Sequence, residues 1–285
     1  MMRVIPTRRA FADALDEERA AGRTVGLVPT MGALHDGHLS LLAAARAECD
    51  VVALTIFVNP LQFAPTEDLD AYPRPLERDL ELAAGAGADI VFTPSTDEMY
   101  PEPMRTNVHL DGLTEMLEGA SRPTHFDGVS TVVTKLFNLA GRCRAYFGEK
   151  DFQQLAVVTR MARDLDQPVT VVPCPIVREA DGLAMSSRNV YLSPEQRVAA
   201  LVLDRALRHG ADLVAAGEHD PAAVAAAMSA VVAAEPLAEM EYLVVVDPET
   251  LVTPERLEPG REVRLLGVVR LGTTRLLDNR GVGVG

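Results

Sequence analysis

From residue 24 to residue 172 the chain alternates short apolar runs with amphipathic stretches. Residues 24–30 (TVGLVPT) and 51–58 (VVALTIFV) are nearly all apolar and stop at Pro/Gly or Asn-Pro, the pattern of strands covered on both faces. Between them, 38–48 (HLSLLAAARAE) carries Leu39, Leu41 and Leu42 among alanines and predicts a helix. A strand–helix–strand unit of this kind is expected to be right-handed. The alternation continues with a helix over 75–85 and a strand over 89–92. Next comes a helix over 127–140, with apolar residues at 129, 132, 133, 136 and 137. A strand over 144–147, a helix over 151–165 and a strand over 169–172 complete the series. This order predicts an α/β fold: a Rossmann-like parallel sheet with helices on both faces.

Past residue 177 the texture changes. Ser193-Pro194-Glu195-Gln196 reads as a capping box with Pro at the first helical position, opening one long helix to about residue 216. Asp220-Pro221 caps a second, alanine-rich helix. EYLVVVD, EVRLLGVVRLG and TTRLLDN predict the strands of a small sheet. The expected organisation is therefore a Rossmann-like domain over 1–176 and a smaller α+β domain over 177–285, with residues 281–285 frayed.

Composition narrows the partners. With 27 Lys+Arg against 41 Asp+Glu, the formal net charge is −14, which opposes general binding to nucleic acid or to anionic membranes. A small anionic ligand then needs local cations. The three cysteines are far apart and form no C-x-x-C pair, so neither a zinc ribbon nor a disulfide framework is expected. The first residues lack the apolar core of a secretory leader, and no apolar stretch is long enough to span a bilayer. The expectation is a soluble cytoplasmic protein with small-molecule substrates.

The most informative segment is PTMGALHDGH, residues 29–38, between the first predicted strand and the first predicted helix. Ligands of open α/β sheets bind at the carboxyl ends of strands. Two glycines let the backbone approach a ligand, and the helix start offers N–H groups to phosphate. His35 and His38 are three residues apart, so both can face one phosphoryl group as donors. Gly148, Glu149, Lys150 and Asp151 also follow a strand and precede a helix; Lys150 suits phosphate, and Asp151 suits either ribose hydroxyls or a helix cap. Met185, Ser186, Ser187 and Arg188 form a polar loop with hydroxyls and a guanidinium, suited to a phosphate chain. The amides of Gln62 and Gln154 can both donate and accept.

These segments, together with FVNPLQF, AYPRPLERD, RPTHFDGV, YFGEKDFQQL, VREADGLAMSSRN and LGTTRLLDN, resemble the pantothenate synthetase family over nearly the whole chain. In the wider superfamily HDGH looks like the HIGH motif of nucleotidyltransferases, and MSSR like a reduced KMSKS loop. The resemblance implies an ATP-dependent ligase that condenses (R)-pantoate with β-alanine to pantothenate. Pantoate would first form pantoyl adenylate, and the amine of β-alanine would then displace AMP. It implies that His38, His35 and Lys150 are catalytic, with His38 at the usual proton-donor position. It implies ATP contacts from Met31, Gly32, Ala33, Leu34, His35, Asp36, Gly37 and His38, from Gly148, Glu149, Lys150 and Asp151, from Val177, and from Met185, Ser186, Ser187 and Arg188. Gln62 and Gln154 match the pantoate-holding glutamines. Family members usually carry an acidic pair where this chain has Arg78-Asp79, so the resemblance leaves Asp79 as the Mg²⁺ contact and places much of the metal's coordination on ATP and water. His125 is expected to line the pocket or serve structure, and His109 to lie on the surface. The family also implies a homodimer, and residues 177–285 as a lid domain. Two alternatives remain at this level: a nucleotidyltransferase that stops at an adenylylated product, and a non-catalytic nucleotide binder.

Overall fold

The computed structural model describes residues 2–64 and 69–285. In the first part of the chain, β1 (Arg3–Ile5), α1 (Arg8–Ala20), β2 (Val25–Thr30), α2 (Asp36–Glu48), β3 (Val51–Ile56), α3 (Leu76–Gly85) and β4 (Ile90–Phe92) follow one another. Two single turns, α4 (Thr96–Met99) and α5 (Glu118–Ser121), lead to α6 (His125–Ala140), β5 (Cys143–Gly148), α7 (Phe152–Asp164) and β6 (Val169–Cys174). The strands form one six-stranded sheet in the order β1-β4-β3-β2-β5-β6, and every pairing is parallel.

Alternation along the strands distributes the core over both faces. Val28, Val52, Leu54, Val91 and Tyr146 pack with Leu41, Leu42 and Ala45 of α2 and Ala83 of α3. On the opposite face Phe11 of α1 stacks on Phe92 at 4.6 Å, and Phe137 of α6 meets the edge of Phe147 at 6.2 Å. From β2 the chain proceeds outward to β3 and β4, then returns to place β5 on the other side of β2. That reversal is a topological switch point, and the carboxyl ends of β2 and β5 border the crevice such a reversal opens. The predicted parallel sheet is therefore present. The pattern had left out β1 and α1: α1 buries only Phe11, Ala14 and Leu15, too thin a stripe to stand out among its charges.

The second part holds α8 (Pro194–Ala199), α9 (Leu201–Ala215), α10 (Pro221–Ala233) and an antiparallel sheet of β7 (Glu239–Val246), β8 (Glu262–Leu271) and β9 (Thr274–Gly283). Its core joins Leu203, Leu207, Val224, Met228, Val245, Leu265 and Val269. Two expectations are corrected here. The single helix expected over 194–216 is two helices meeting at Ala200, a fully buried residue, and the junction carries no Gly or Pro to mark it. The tail is not frayed: Gly281, Val282 and Gly283 pair with Arg264, Val263 and Glu262, and the Val284 side chain is buried. The chain divides into two compact units, one of residues 1–149 with Gln153–Pro175 and one of Lys150–Phe152 with Ile176–Gly285.

Candidate active site

His35 is the N-cap of α2 and His38 is its third residue. His35 Nδ1 accepts from the Gly37 amide at 3.1 Å, and His38 Nδ1 accepts from the His35 amide at 3.3 Å. The two imidazoles thus form a reciprocal capping box in place of the usual hydroxyl and carboxamide. An Nδ1 that accepts carries no proton, so each neutral ring carries its hydrogen on Nε2. The rings lie 4.1 Å apart, centroid to centroid, at the positive end of the helix. The result is a pair of donors held in one tautomer by backbone groups, at the place where a helix favours anions.

The loop before them is held from a distance. Ala33 has φ 51°, a left-handed conformation that costs a non-glycine residue free energy. Asp79, in the first turn of α3, accepts from Ala33 N through Oδ2 and from Leu34 N through Oδ1, both at 2.8 Å. At Gly32 a Cβ would lie 2.9 Å from Asp79 Oδ2, so only glycine lets the loop close on this carboxylate. The Mg²⁺ contact expected of Asp79 does not fit this arrangement. The residue is 1% exposed and both oxygens serve backbone amides, whereas Mg²⁺ usually keeps several waters. Asp79 builds the loop.

Gln62 ends a 3₁₀ turn over Pro60–Gln62 and is buried. Its Nε2 lies 2.9 Å from Met31 Sδ, while its Oε1 accepts from Asn59 Nδ2 at 3.2 Å. Asn59 is itself fixed: Nδ2 also donates to the Gly128 carbonyl at 3.0 Å, and Oδ1 accepts from Tyr100 OH at 2.8 Å. Burial pushes the Tyr100 phenol well above its ordinary pKa, so it stays a donor. The Gln62 carbonyl is 2.9 Å from His125 Nδ1, and Arg122 Nη1 is 3.2 Å from His125 Nε2. Since Arg122 only donates, His125 carries its proton on Nδ1 and gives it to Gln62. Asn59, Tyr100, Arg122 and His125 are thus the supports of Gln62. The FVNPLQF and RPTHFDGV segments contained three of them, but nothing in their spacing said what they would touch.

Helix α6 approaches this turn so closely that a Cβ at Gly128 would stand 2.3 Å from Leu61 O and 2.6 Å from Gln62 N. Gly128→Ala is expected to cost about 1–3 kcal/mol of stability by overpacking. Thermal or denaturant unfolding of the variant beside the parent will read this loss.

Of the two glutamines in FQQL, Gln153 is taken into the core. Its Oε1 accepts from Glu118 N, and its Nε2 donates to Leu113 O and Met116 O. Gln154, the next residue on α7, is turned roughly 100° away and only half-buried. Gly148 ends β5, and Glu149 starts the 3₁₀ turn before α7.

In the second unit, Lys150, Ser186, Arg188, Arg275 and Asp278 line one small cavity. Lys150 Nζ lies 3.6 Å from Asp151 Oδ1. Ser186 Oγ caps the turn Ser187–Tyr191 by accepting from Arg188 N, and Met185 N donates to the Val177 carbonyl at 3.0 Å. The loop therefore starts and ends on defined backbone contacts. Lys150, Arg188 and Arg275 bring positive charge to this cavity, beside the carboxylates of Asp204 and Asp278.

His109 is exposed, as expected. Its Nδ1 lies 2.7 Å from Asp127, and Nε2 faces Asp111 and Glu115 at 3.6 and 3.8 Å. The hydrogen bond to Asp127 raises its pKa above the ordinary 6.5, with the nearby carboxylates adding to the effect. A raised folded-state pKa stabilises fully below the unfolded value, and this is lost as pH rises through the folded one. NMR titration should find His109 above 6.5, and Asp127→Asn should bring it down.

Cys49, Cys143 and Cys174 are buried and unbridged, and burial pushes the Cys143 thiol up to about 12 and that of Cys174 to about 11. Neither of these two thiols is a ready nucleophile at neutral pH. The geometry offers fixed donors, anion-binding amides and amide side chains, a set suited to activating a carboxylate on a phosphate ester.

The pantoate-beta-alanine ligase family model matches residues 3–281. The chain belongs to this family. A pantothenate synthetase of Agrobacterium fabrum is 55% identical over 282 residues, covering 99% of this chain and 96% of that protein. One from Moorella thermoacetica is 54% identical, covering 98% of each. The crystal structure of the Thermus thermophilus pantothenate synthetase has a TM-score of 0.91 to this chain at 49% identity, covering 98% and 99% of the two chains. A Francisella tularensis pantoate-beta-alanine ligase, solved with β-γ ATP and β-alanine, has a TM-score of 0.80 at 30% identity, covering 98% and 97%. The reaction of this ligase is that of the family: ATP-dependent condensation of pantoate with β-alanine to pantothenate through a pantoyl adenylate, releasing AMP and pyrophosphate. Among the described residues no helix is long and apolar enough to cross a membrane.

Proposed function

We propose the following division of labour for that reaction. A carboxylate resists attack by an amine because its charge repels the nucleophile and oxide is a poor leaving group. Transfer of the AMP moiety removes both obstacles. The carboxylate oxygen of pantoate forms a bond to the α-phosphorus as the bond to the pyrophosphate oxygen breaks. His35 and His38 donate through Nε2–H to the phosphate oxygens as charge shifts onto them, with His38 at the leaving side. The amine of β-alanine then attacks the acyl carbon, the bond to the AMP oxygen breaks, and the amine loses a proton. No enzyme nucleophile is needed, in keeping with the buried cysteines.

Loop residues Met31 to His38, with Gly148, Glu149, Lys150 and Asp151, contact ATP in this reading. Val177 meets the adenine, Lys150 contacts the phosphates, Met185, Ser186, Ser187 and Arg188 close over them, and Asp151 meets the ribose. Gln62 and Gln154 hold pantoate. Mg²⁺ enters as the ATP complex, coordinated by phosphate oxygens and water, since Asp79 is committed to the loop. Residues 177–285 act as a lid domain, the protein works as a homodimer, and its compartment is the cytoplasm.

The observation that carries this reading is the histidine capping box, which fixes two Nε2 donors at the start of α2. The test is incubation with ATP, Mg²⁺ and pantoate, followed by β-alanine. Pyrophosphate should appear with pantoate alone, and AMP only after the amine. Pyrophosphate with a stable adenylylated acceptor would favour the nucleotidyltransferase alternative, and absence of turnover the non-catalytic one.

A further inference from the structure

Residues 150–152 pack with the second unit, although residues 149 and 153 on either side belong to the first. Asn279 of β9 supplies the reason. Its Nδ2 donates to the Lys150 carbonyl at 2.9 Å, and its Oδ1 accepts from Arg264 Nε at 2.8 Å. Arg264, from β8, lies with its guanidinium carbon 4.2 Å from the centre of the Phe152 ring. Asn279 is 2% exposed and Arg264 6%. A carbonyl only accepts and a guanidinium only donates, so the two partners dictate which way the amide faces. The Asn279 backbone is held as well: its N–H donates to Asp278 Oδ1 at 2.7 Å, and its carbonyl accepts from Arg178 Nη2 at 3.3 Å.

A buried carboxamide is costly to desolvate and adds less to packing than a leucine of similar size. Here both of its ends are committed, one to the backbone of the lysine whose side chain shares a cavity with Ser186 and Arg188. We propose that Asn279 is a positioning residue: by fixing the Lys150 carbonyl to the β8–β9 hairpin, it presents the Lys150 ammonium to the phosphates of ATP in register with Ser186 and Arg188. The proposal rests on the reading of Lys150 as a phosphate contact.

Asn279→Asp keeps an acceptor for Arg264 but sets an oxygen against the Lys150 carbonyl. Its single-turnover adenylation rate at subsaturating ATP is expected to fall about tenfold, the scale of one well-placed hydrogen bond. The KM for ATP should rise and the KM for pantoate should stay put. In a Lys150→Ala background the same substitution should cost less than about threefold, because the group being positioned is gone. Equal losses in both backgrounds, or a change in pantoate KM instead, would overturn the proposal. Should Asn279→Asp fail to fold, Arg264→Lys, which removes the planar group that orients the amide, carries the same cycle and the same criteria. If Lys150→Ala alone leaves ATP KM and the adenylation rate unchanged, the assignment of Lys150 to phosphate fails first, and the role of Asn279 with it.

Discussion

Replacing His38 with alanine is expected to slow adenylate formation by about 10²–10³-fold, the usual cost of one preorganised transition-state donor. The reason lies in how the ring is held. His38 Nδ1 is occupied by the His35 amide, so the proton sits on Nε2 before ATP arrives and the donor needs no reorganisation. The same substitution removes half of the capping box, which costs about 0.5–2 kcal/mol of stability. The two effects can be separated. In His38→Asn the amide oxygen takes the place of Nδ1 and can still accept from His35, yet nothing reaches the position of Nε2. Its thermal midpoint should recover toward the parent while the rate stays low. Recovery of rate with the midpoint would mean that the ring acts only as a cap. Pyrophosphate release in single turnover, with a melting curve for each variant, decides the matter.

Asp79→Ala should also be damaging, without touching substrate. It strands the buried Leu34 amide, at about 1–3 kcal/mol for an unsatisfied group, and leaves the part-buried Ala33 amide without its partner. It also removes the partner that holds Ala33 in its left-handed conformation, so the loop has reason to relax into an ordinary backbone. The expected outcome is a lower melting temperature and a fall of at least about tenfold in kcat/KM for ATP. The Mg²⁺ concentration giving half-maximal rate should not move. Restoration of activity by added Mg²⁺ would return Asp79 to the role of metal contact. Asp79→Asn should fall between the variant and the parent, since a carboxamide has one oxygen for two amides.

The legible parts of this protein are those in which neighbours in sequence are neighbours in space. β2, α2 and β3 followed from an apolar run, an amphipathic stretch and another apolar run. The nearness of His35 and His38 followed from their spacing, although their reciprocal capping of α2 did not. The same local logic failed where tertiary burial overrode pattern. Helix α1 has too few apolar residues to declare itself, yet Phe11 is fully buried on Phe92. Val284 is held against the fold in a stretch whose glycines suggested fraying. Within FQQL both glutamines look alike, and only the core that accepts Gln153 distinguishes it from Gln154.

The sequence by itself determined the α/β class, the place of the histidine loop after a strand, and the membership that its ordered motifs carry. Each of these depends on periodicity or on residues a few positions apart, where backbone geometry alone sets who can meet whom. Only the tertiary structure decided that Asp79 closes the loop around Ala33, that Asn59 and His125 set the two ends of Gln62, and that Asn279 holds Lys150. Those contacts join residues from different elements, and a side chain's reach across such a gap is fixed by the packing of the whole, for which no local pattern exists.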